Sequence, residues 1–221
     1  MSVRALRGKS VIEISDPDLA ARLDGYSRIV LDLGAGDAKA ALRLAREQPE
    51  TLVIAADATP DAMQAQAVRS LRKPSRGGAG NIVFLIGDVA ALPHALDRRV
   101  AEVTVTLPWA SLLRAVVLGE DAFTGAVRRV LRDGGRLTVV LNLDALQQRI
   151  PREYADLPRV DAAYARTTLA ARFSAHGLHV DDVRELEEPE KRELGSAWAK
   201  RLTRTRKPAF LIVTAFAGPA A

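Results

Sequence analysis

The side chains best suited to chemistry in this sequence are two tryptophans and a set of aspartates, each beside a turn. Asp32 lies in an apolar run, Arg28-Ile29-Val30-Leu31-Asp32-Leu33, that breaks into Gly34-Ala35-Gly36-Asp37. Glycines lack a Cβ, so such a turn can take unusual dihedrals and approach a ligand closely, while the helix that follows presents unpaired N–H groups. Asp57 ends a second apolar run, about 20 residues past the glycines, the spacing at which a carboxylate meets the two hydroxyls of a ribose. Asp88, in Gly87-Asp88-Val89, follows a third run; it can accept from the exocyclic amine of an adenine, or cap a turn. Leu107-Pro108-Trp109-Ala110-Ser111 follows a fourth. There Pro108 removes a backbone donor and leaves neighbouring carbonyls free to hold an amino group, and Trp109 offers a flat face for stacking on a base. The second tryptophan, Trp198, stands in Gly195-Ser196-Ala197-Trp198-Ala199-Lys200-Arg201, among charges rather than in an apolar stripe.

The charges around the glycine turn select among adenosine-containing ligands. A dinucleotide fingerprint requires a third glycine where Lys39 stands, and Asp32 and Asp37 would repel a diphosphate. A ligand with a cationic sulfur and an ammonium group suits them better, and S-adenosylmethionine is that ligand. Its expected seat comprises Asp32, Gly34, Ala35, Gly36, Ala38, Asp57, Ala58, Asp88, Val89, Leu107 and Ser111.

The elements that must position these residues follow from periodicity. Strand-like runs at 28–33, 52–57, 82–86, 101–107 and 136–141 are nearly continuous in apolar residues, as parallel strands buried on both faces are. Helical patterns at 38–47, 60–71 and 111–131 intervene, which predicts a doubly wound α/β sheet of the Rossmann-like kind. A helix at 161–176 precedes two further strands, 178–186 and 209–216, expected to pair antiparallel at the far end. The expected whole is a mostly parallel seven-stranded sheet with an antiparallel terminal strand, a pattern typical of class I methyltransferases. Residues 3–6 and 10–14 flank Arg7-Gly8-Lys9 as a short hairpin with a basic tip. One domain over 1–221 is expected, with 1–20 as an N-terminal hairpin extension and 142–160 and 187–207 as insertions carrying RNA contacts.

Composition narrows the function. The 221 residues include no cysteine, which excludes disulfides, thiolate metal sites and methylation through a cysteine nucleophile. His94, His176 and His179 form no metal-ligand spacing, so no metal is expected. No apolar run reaches membrane-spanning length and no secretory block opens the chain, so no membrane contact and a cytoplasmic location are expected. The net charge of +5 favours a polyanionic partner. Arg69, Arg72, Lys73 and Arg76 recur at three- and four-residue steps, and would line one face if the helix from Pro60 continues. Lys200, Arg201, Arg204, Arg206 and Lys207 crowd Trp198. Cations interleaved with aromatics are a nucleic-acid pattern.

Taken together, the loop at 32–37, the segment 107–111 with Leu112-Leu113-Arg114 after it, and Ser196-Ala197-Trp198-Ala199-Lys200-Arg201 resemble the aminoglycoside-resistance 16S ribosomal RNA (adenine-1408-N1) methyltransferases, over essentially the whole chain. The resemblance implies docking on the assembled 30S subunit, with adenine 1408, in the RNA's own numbering, flipped between Trp109 and Trp198. It implies that Ser196 and Arg201 support the site and that Arg206 and the face from Arg69 to Lys73 grip phosphates, with Arg7 or Lys9 touching RNA nearby. Ala38 departs from the pattern, since relatives often carry another glycine there. A monomer is expected, because one face must meet a large RNA. Other acceptors (guanine N7, a transfer RNA base, a small molecule), a nicotinamide-dependent oxidoreductase and a catalytically silent RNA-binding protein remain open alternatives at this point.

Overall fold

The computed structural model describes residues 2–143, 156–187, 190 and 209–219. The Val-, Ile- and Leu-rich runs form strands and the amphipathic stretches form helices. In chain order these are β1 (Ser2–Arg7), β2 (Ser10–Ser15), α1 (Asp16–Asp24), β3 (Arg28–Leu33), α2 (Lys39–Glu47), β4 (Thr51–Asp57), α3 (Pro60–Ser70) and β5 (Ile82–Ile86). There follow β6 (Val100–Thr106), α4 (Ala110–Leu118), α5 (Asp121–Val130), β7 (Leu131–Asn142), α6 (Ala162–Tyr164), a π-helical turn (Ala165–Leu169), α7 (Ala170–Ser174), β8 (Leu178–Glu185) and β9 (Phe210–Ala217).

The described strands form one sheet in the order β2-β1-β5-β4-β3-β6-β7-β9-β8. β3, β4, β5, β6 and β7 run parallel; β9 is antiparallel to both β7 and β8, and the β1–β2 hairpin joins antiparallel to β5. Connections leave β3 towards β4 on one side, and the next pair, β6 and β7, lies on the other. A crevice therefore opens at the carboxyl ends of β3 and β6, the place where open α/β sheets bind ligands. On one face Leu23, Val116, Phe123, Val127 and Phe173 pack over Leu31, Ile54, Val103 and Val139. On the other, Leu42, Met63 and Ala67 cover Val53, Ala55 and Phe84. Within the described residues, no helix is long and apolar enough to cross a membrane.

Three expectations change. The helix expected over 111–131 is two helices, because Gly119 takes φ 57° and caps α4 in the left-handed conformation. A side chain there would also strain the backbone and meet Arg172 Cβ at 2.9 Å. The face expected from Arg69 to Arg76 does not form. Pro74 disfavours a helical Lys73, whose ψ is 146°, so α3 stops at Ser70 and a 3-10 turn, Pro74–Arg76, follows. Finally β6 alternates: Val103 and Val105 are fully buried, while Thr104 and Thr106 on the other face are half-buried.

Candidate active site

Because the core strands are parallel, their carboxyl ends share one edge, and residues far apart in sequence meet there. After β3, Gly34 (φ 74°) and Gly36 (φ 55°) turn the chain back across β4, with the N–H groups of Gly34 and Ala35 donating to the Ala56 carbonyl at 2.8 and 3.1 Å. A Cβ on Gly34 would stand 2.5 Å from Leu112 Cδ2, so glycine is required both by its dihedral and by the leucine of α4 lying over it. The Asp57 carboxylate ties two loops together: Oδ2 accepts from Gly36 N–H at 2.9 Å and Oδ1 from Thr59 N–H at 2.8 Å. Ala58 is exposed next to it.

Ala38, the departure from the glycine pattern, also has a left-handed backbone (φ 51°), with its methyl fully buried beneath α2. The backbone preference for glycine at this position is thus conformational, and the methyl points into the core. Lys39, where a dinucleotide site would need glycine, places its ammonium 2.7 Å from Asp37 Oδ2.

Asp32 is only 9% exposed, and its carboxyl is pushed up to about 6. Burial is the largest cause, opposed by a hydrogen bond that Thr104 Oγ1 donates to Oδ1 at 3.0 Å and reinforced by the like charges of Asp57 and Asp37. Asp88 Oδ1 accepts from Ala90 N–H at 3.0 Å, capping the 3-10 turn Val89–Ala91, so the turn-cap role is present; the carboxylate remains at the surface beside the cleft.

The loop between β6 and α4 is strained. Leu107 (φ 53°) and Ala110 (φ 51°) both hold left-handed conformations that cost a non-glycine residue about 1–2 kcal/mol each. Leu107 is fixed by its N–H to the Val140 carbonyl at 2.9 Å and by packing on Val140 and Phe210. Between these two residues Pro108 is buried and Trp109 stands 49% exposed, at the N-terminus of α4 with Ser111 at the surface beside it. Trp109 is therefore at the cleft mouth, not in the core.

Beyond the cleft, Arg7 and Lys9 are exposed at the hairpin turn, and a Cβ on Gly8 of that turn would meet Leu71 Cδ1 at 3.1 Å. The hairpin tip and the basic turn after α3 are thus in contact. Arg72, Lys73 and Arg76 line an open depression of about 320 Å³ there, and Arg69 lies over Gly77 beside it. Ser196, Trp198, Arg201, Arg204 and Arg206 lie outside the described residues. Sequence reasoning missed Thr104 as the partner of Asp32 and Leu112 as the partner of the glycine turn. The Val-Thr-Val-Thr alternation of β6 was the available signal for the first; for the second there was none, since the contact exists only after α4 packs across β3.

The family model described as NpmA, 16S rRNA (adenine(1408)-N(1))-methyltransferase, matches residues 4–217. The chain belongs to this family. It is 33% identical over 204 residues to the 16S rRNA (adenine(1408)-N(1))-methyltransferase of Streptoalloteichus tenebrarius, covering 92% of this chain and 94% of that one. An Escherichia coli relative of the same name is 27% identical over 210 residues, covering 95% and 96%. Among solved structures, a tryptophan-to-alanine mutant of the enzyme from Catenulisporales acidiphilia, crystallised with its cosubstrate S-adenosylmethionine, superposes with a TM-score of 0.90 at 33% identity, covering 98% and 97%. The 16S rRNA methyltransferase KamB gives 0.89, also at 33%, covering 98% and 100%. Family membership removes the oxidoreductase alternative.

Proposed function

We infer that this protein transfers a methyl group from S-adenosylmethionine to N1 of adenine 1408 in 16S rRNA, and thereby confers aminoglycoside resistance. The observation that carries this reading is the family match along nearly the full chain, on a sheet whose carboxyl edge supplies the required groups. Those groups suit this cofactor. The glycine turn bears two carboxylates, and Lys39 is engaged with Asp37, so a sulfonium and an ammonium are welcome where a diphosphate would not be.

In this reading Asp57 takes the ribose hydroxyls, Asp88 and Val89 the adenine, and Asp32 the ammonium, with Gly34, Ala35, Gly36, Leu107 and Ser111 shaping the seat. When bound, S-adenosylmethionine supplies a methyl group on a positively charged sulfur, an electrophile for an unprotonated ring nitrogen. No side chain needs to remove a proton, because the lone pair of adenine N1 is already free at neutral pH. The protein's work is placement: Trp109, braced by two left-handed residues and Pro108, stacks on the extruded base, with Trp198 and Ser196 completing the clasp. The base becomes cationic during the reaction, and the faces of the indoles together with Asp32, Asp37 and Asp57 favour that charge. Arg7, Lys9, Arg69, Arg72, Lys73, Arg201, Arg204 and Arg206 hold phosphates of the RNA. We further propose that the chain acts as a cytoplasmic monomer on the assembled 30S subunit.

The test combines purified protein, radiolabelled S-adenosylmethionine and 30S subunits, followed by primer extension. The expected result is a stop at adenine 1408. Label confined to another nucleotide, or to free RNA alone, would overturn the assignment.

A further inference from the structure

Asp32 and Thr104 face each other across two adjacent parallel strands. They are register partners of β3 and β6, so their side chains project from the same side of the sheet. Among the described residues Thr104 supplies the hydrogen bond to the Asp32 side chain, 3.0 Å from Oγ1 to Oδ1. The charged groups that act on Asp32 are Asp57 at the end of β4 and Asp37 in the glycine turn, both of its own sign; Lys39, the cation that follows the turn, is paired with Asp37. Little water reaches the carboxylate. The threonine hydroxyl is thus the described group that stabilises its ionised form and sets its orientation, and a β-branched side chain on a strand has few rotamers with which to stray.

We propose that Thr104 is a positioning residue for the methyl donor: through its hydroxyl it aims the Asp32 carboxylate at the cofactor's ammonium and holds its charge there. The proposal rests on the reading of Asp32 as the ammonium partner. Without the hydroxyl, burial and two neighbouring carboxylates raise the share of protonated Asp32, which attracts no cation, and the remaining carboxylate loses the bond that orients it. The exchange of hydroxyl for methyl is well tolerated otherwise. Thr104 lies outside the apolar clusters, in a row that register continues through Thr138 of β7 and Thr214 of β9.

The test is calorimetric titration of S-adenosylmethionine into the full-length protein between pH 5.5 and 8.5. Thr104→Val is expected to weaken binding roughly five- to tenfold between pH 5.5 and 6, where the carboxyl without its hydrogen bond is the more fully protonated, and by less at pH 8. The pH at which affinity falls away should also move upward, by about one unit. Thr104→Ser, which keeps the donor, should restore both the affinity and the profile. In an Asp32→Asn background the Thr104→Val change should alter Kd by less than about twofold, since its target charge is gone. A uniform loss with an unmoved pH profile, or an equal loss in the Asp32→Asn background, would refute the proposal. So would wild-type affinity in Thr104→Val at every pH. Wild-type affinity in Asp32→Asn alone would instead overturn the reading of Asp32 on which the proposal depends.

Discussion

A buried carboxylate kept for ligand binding should destabilise the ligand-free protein, and Asp32 allows that cost to be measured. Its carboxyl is raised from the ordinary 3.8 to about 6, mainly by burial. Each unit corresponds to about 1.4 kcal/mol, so ionised Asp32 costs the free protein at most about 3 kcal/mol relative to a neutral group of the same shape. Asp32→Asn provides that group, and the carboxamide can still bond to the Thr104 hydroxyl. The sign follows from linkage. Below pH 3.8 Asp32 is protonated in both folded and unfolded chains, and the two proteins should differ little. As pH rises from 3.8 to about 6 the unfolded chain ionises first, so the wild type loses stability relative to the variant, and above about 6 the gap is constant. For a chain of this size 3 kcal/mol corresponds to roughly 6–12 °C in Tm. Urea or thermal melts of both proteins without cofactor, from pH 4 to 8, would measure the gap. Salt should leave most of it intact, because screening acts on the contributions of Asp57 and Asp37 rather than on burial. A gap that does not vary with pH, or a wild type more stable than the variant at pH 8, would refute the reasoning.

Three further outcomes are expected. Gly34→Ala places a methyl 2.5 Å from Leu112 Cδ2 on a backbone with φ 74°, so cofactor affinity should drop by roughly tenfold or more, and adding Leu112→Ala should recover part of it in the same titration. Trp109→Ala removes a half-exposed indole; Tm should move little, while kcat/KM on 30S subunits falls by a factor of roughly 5 to 150, the equivalent of ~1–3 kcal/mol of stacking, and full activity would exclude Trp109 from the base clasp. Replacing Arg72 and Lys73 together by alanine should lower the slope of log Kd for 30S binding against log salt by about one for each RNA phosphate left without its cation, and an unchanged slope would place the RNA elsewhere.

The placement of much of the candidate site was legible because its residues sit at strand ends, and strand ends are visible as the places where apolar runs stop. Asp57, Asp88 and Trp109 needed only that rule and the parallel order of the sheet. The helix boundaries were less legible. Gly119 splits one apparent helix into two by taking the left-handed cap conformation, yet a glycine within a helical pattern is also tolerated, so its presence alone did not mark the break. Pro74 carried its signal in the open, since proline disfavours a helical residue before it.

By itself the sequence determined the α/β class, the glycine turn with its companion carboxylates, and the basic character of the surface, because these depend on local periodicity, residue type and spacing. Tertiary structure alone decided which groups meet: Thr104 against Asp32, Leu112 over Gly34, and the hairpin tip against Leu71. Each pair joins residues distant in sequence, on separate elements whose approach is set by strand register and helix packing. Those are properties of the assembled sheet, and no window along the chain contains them.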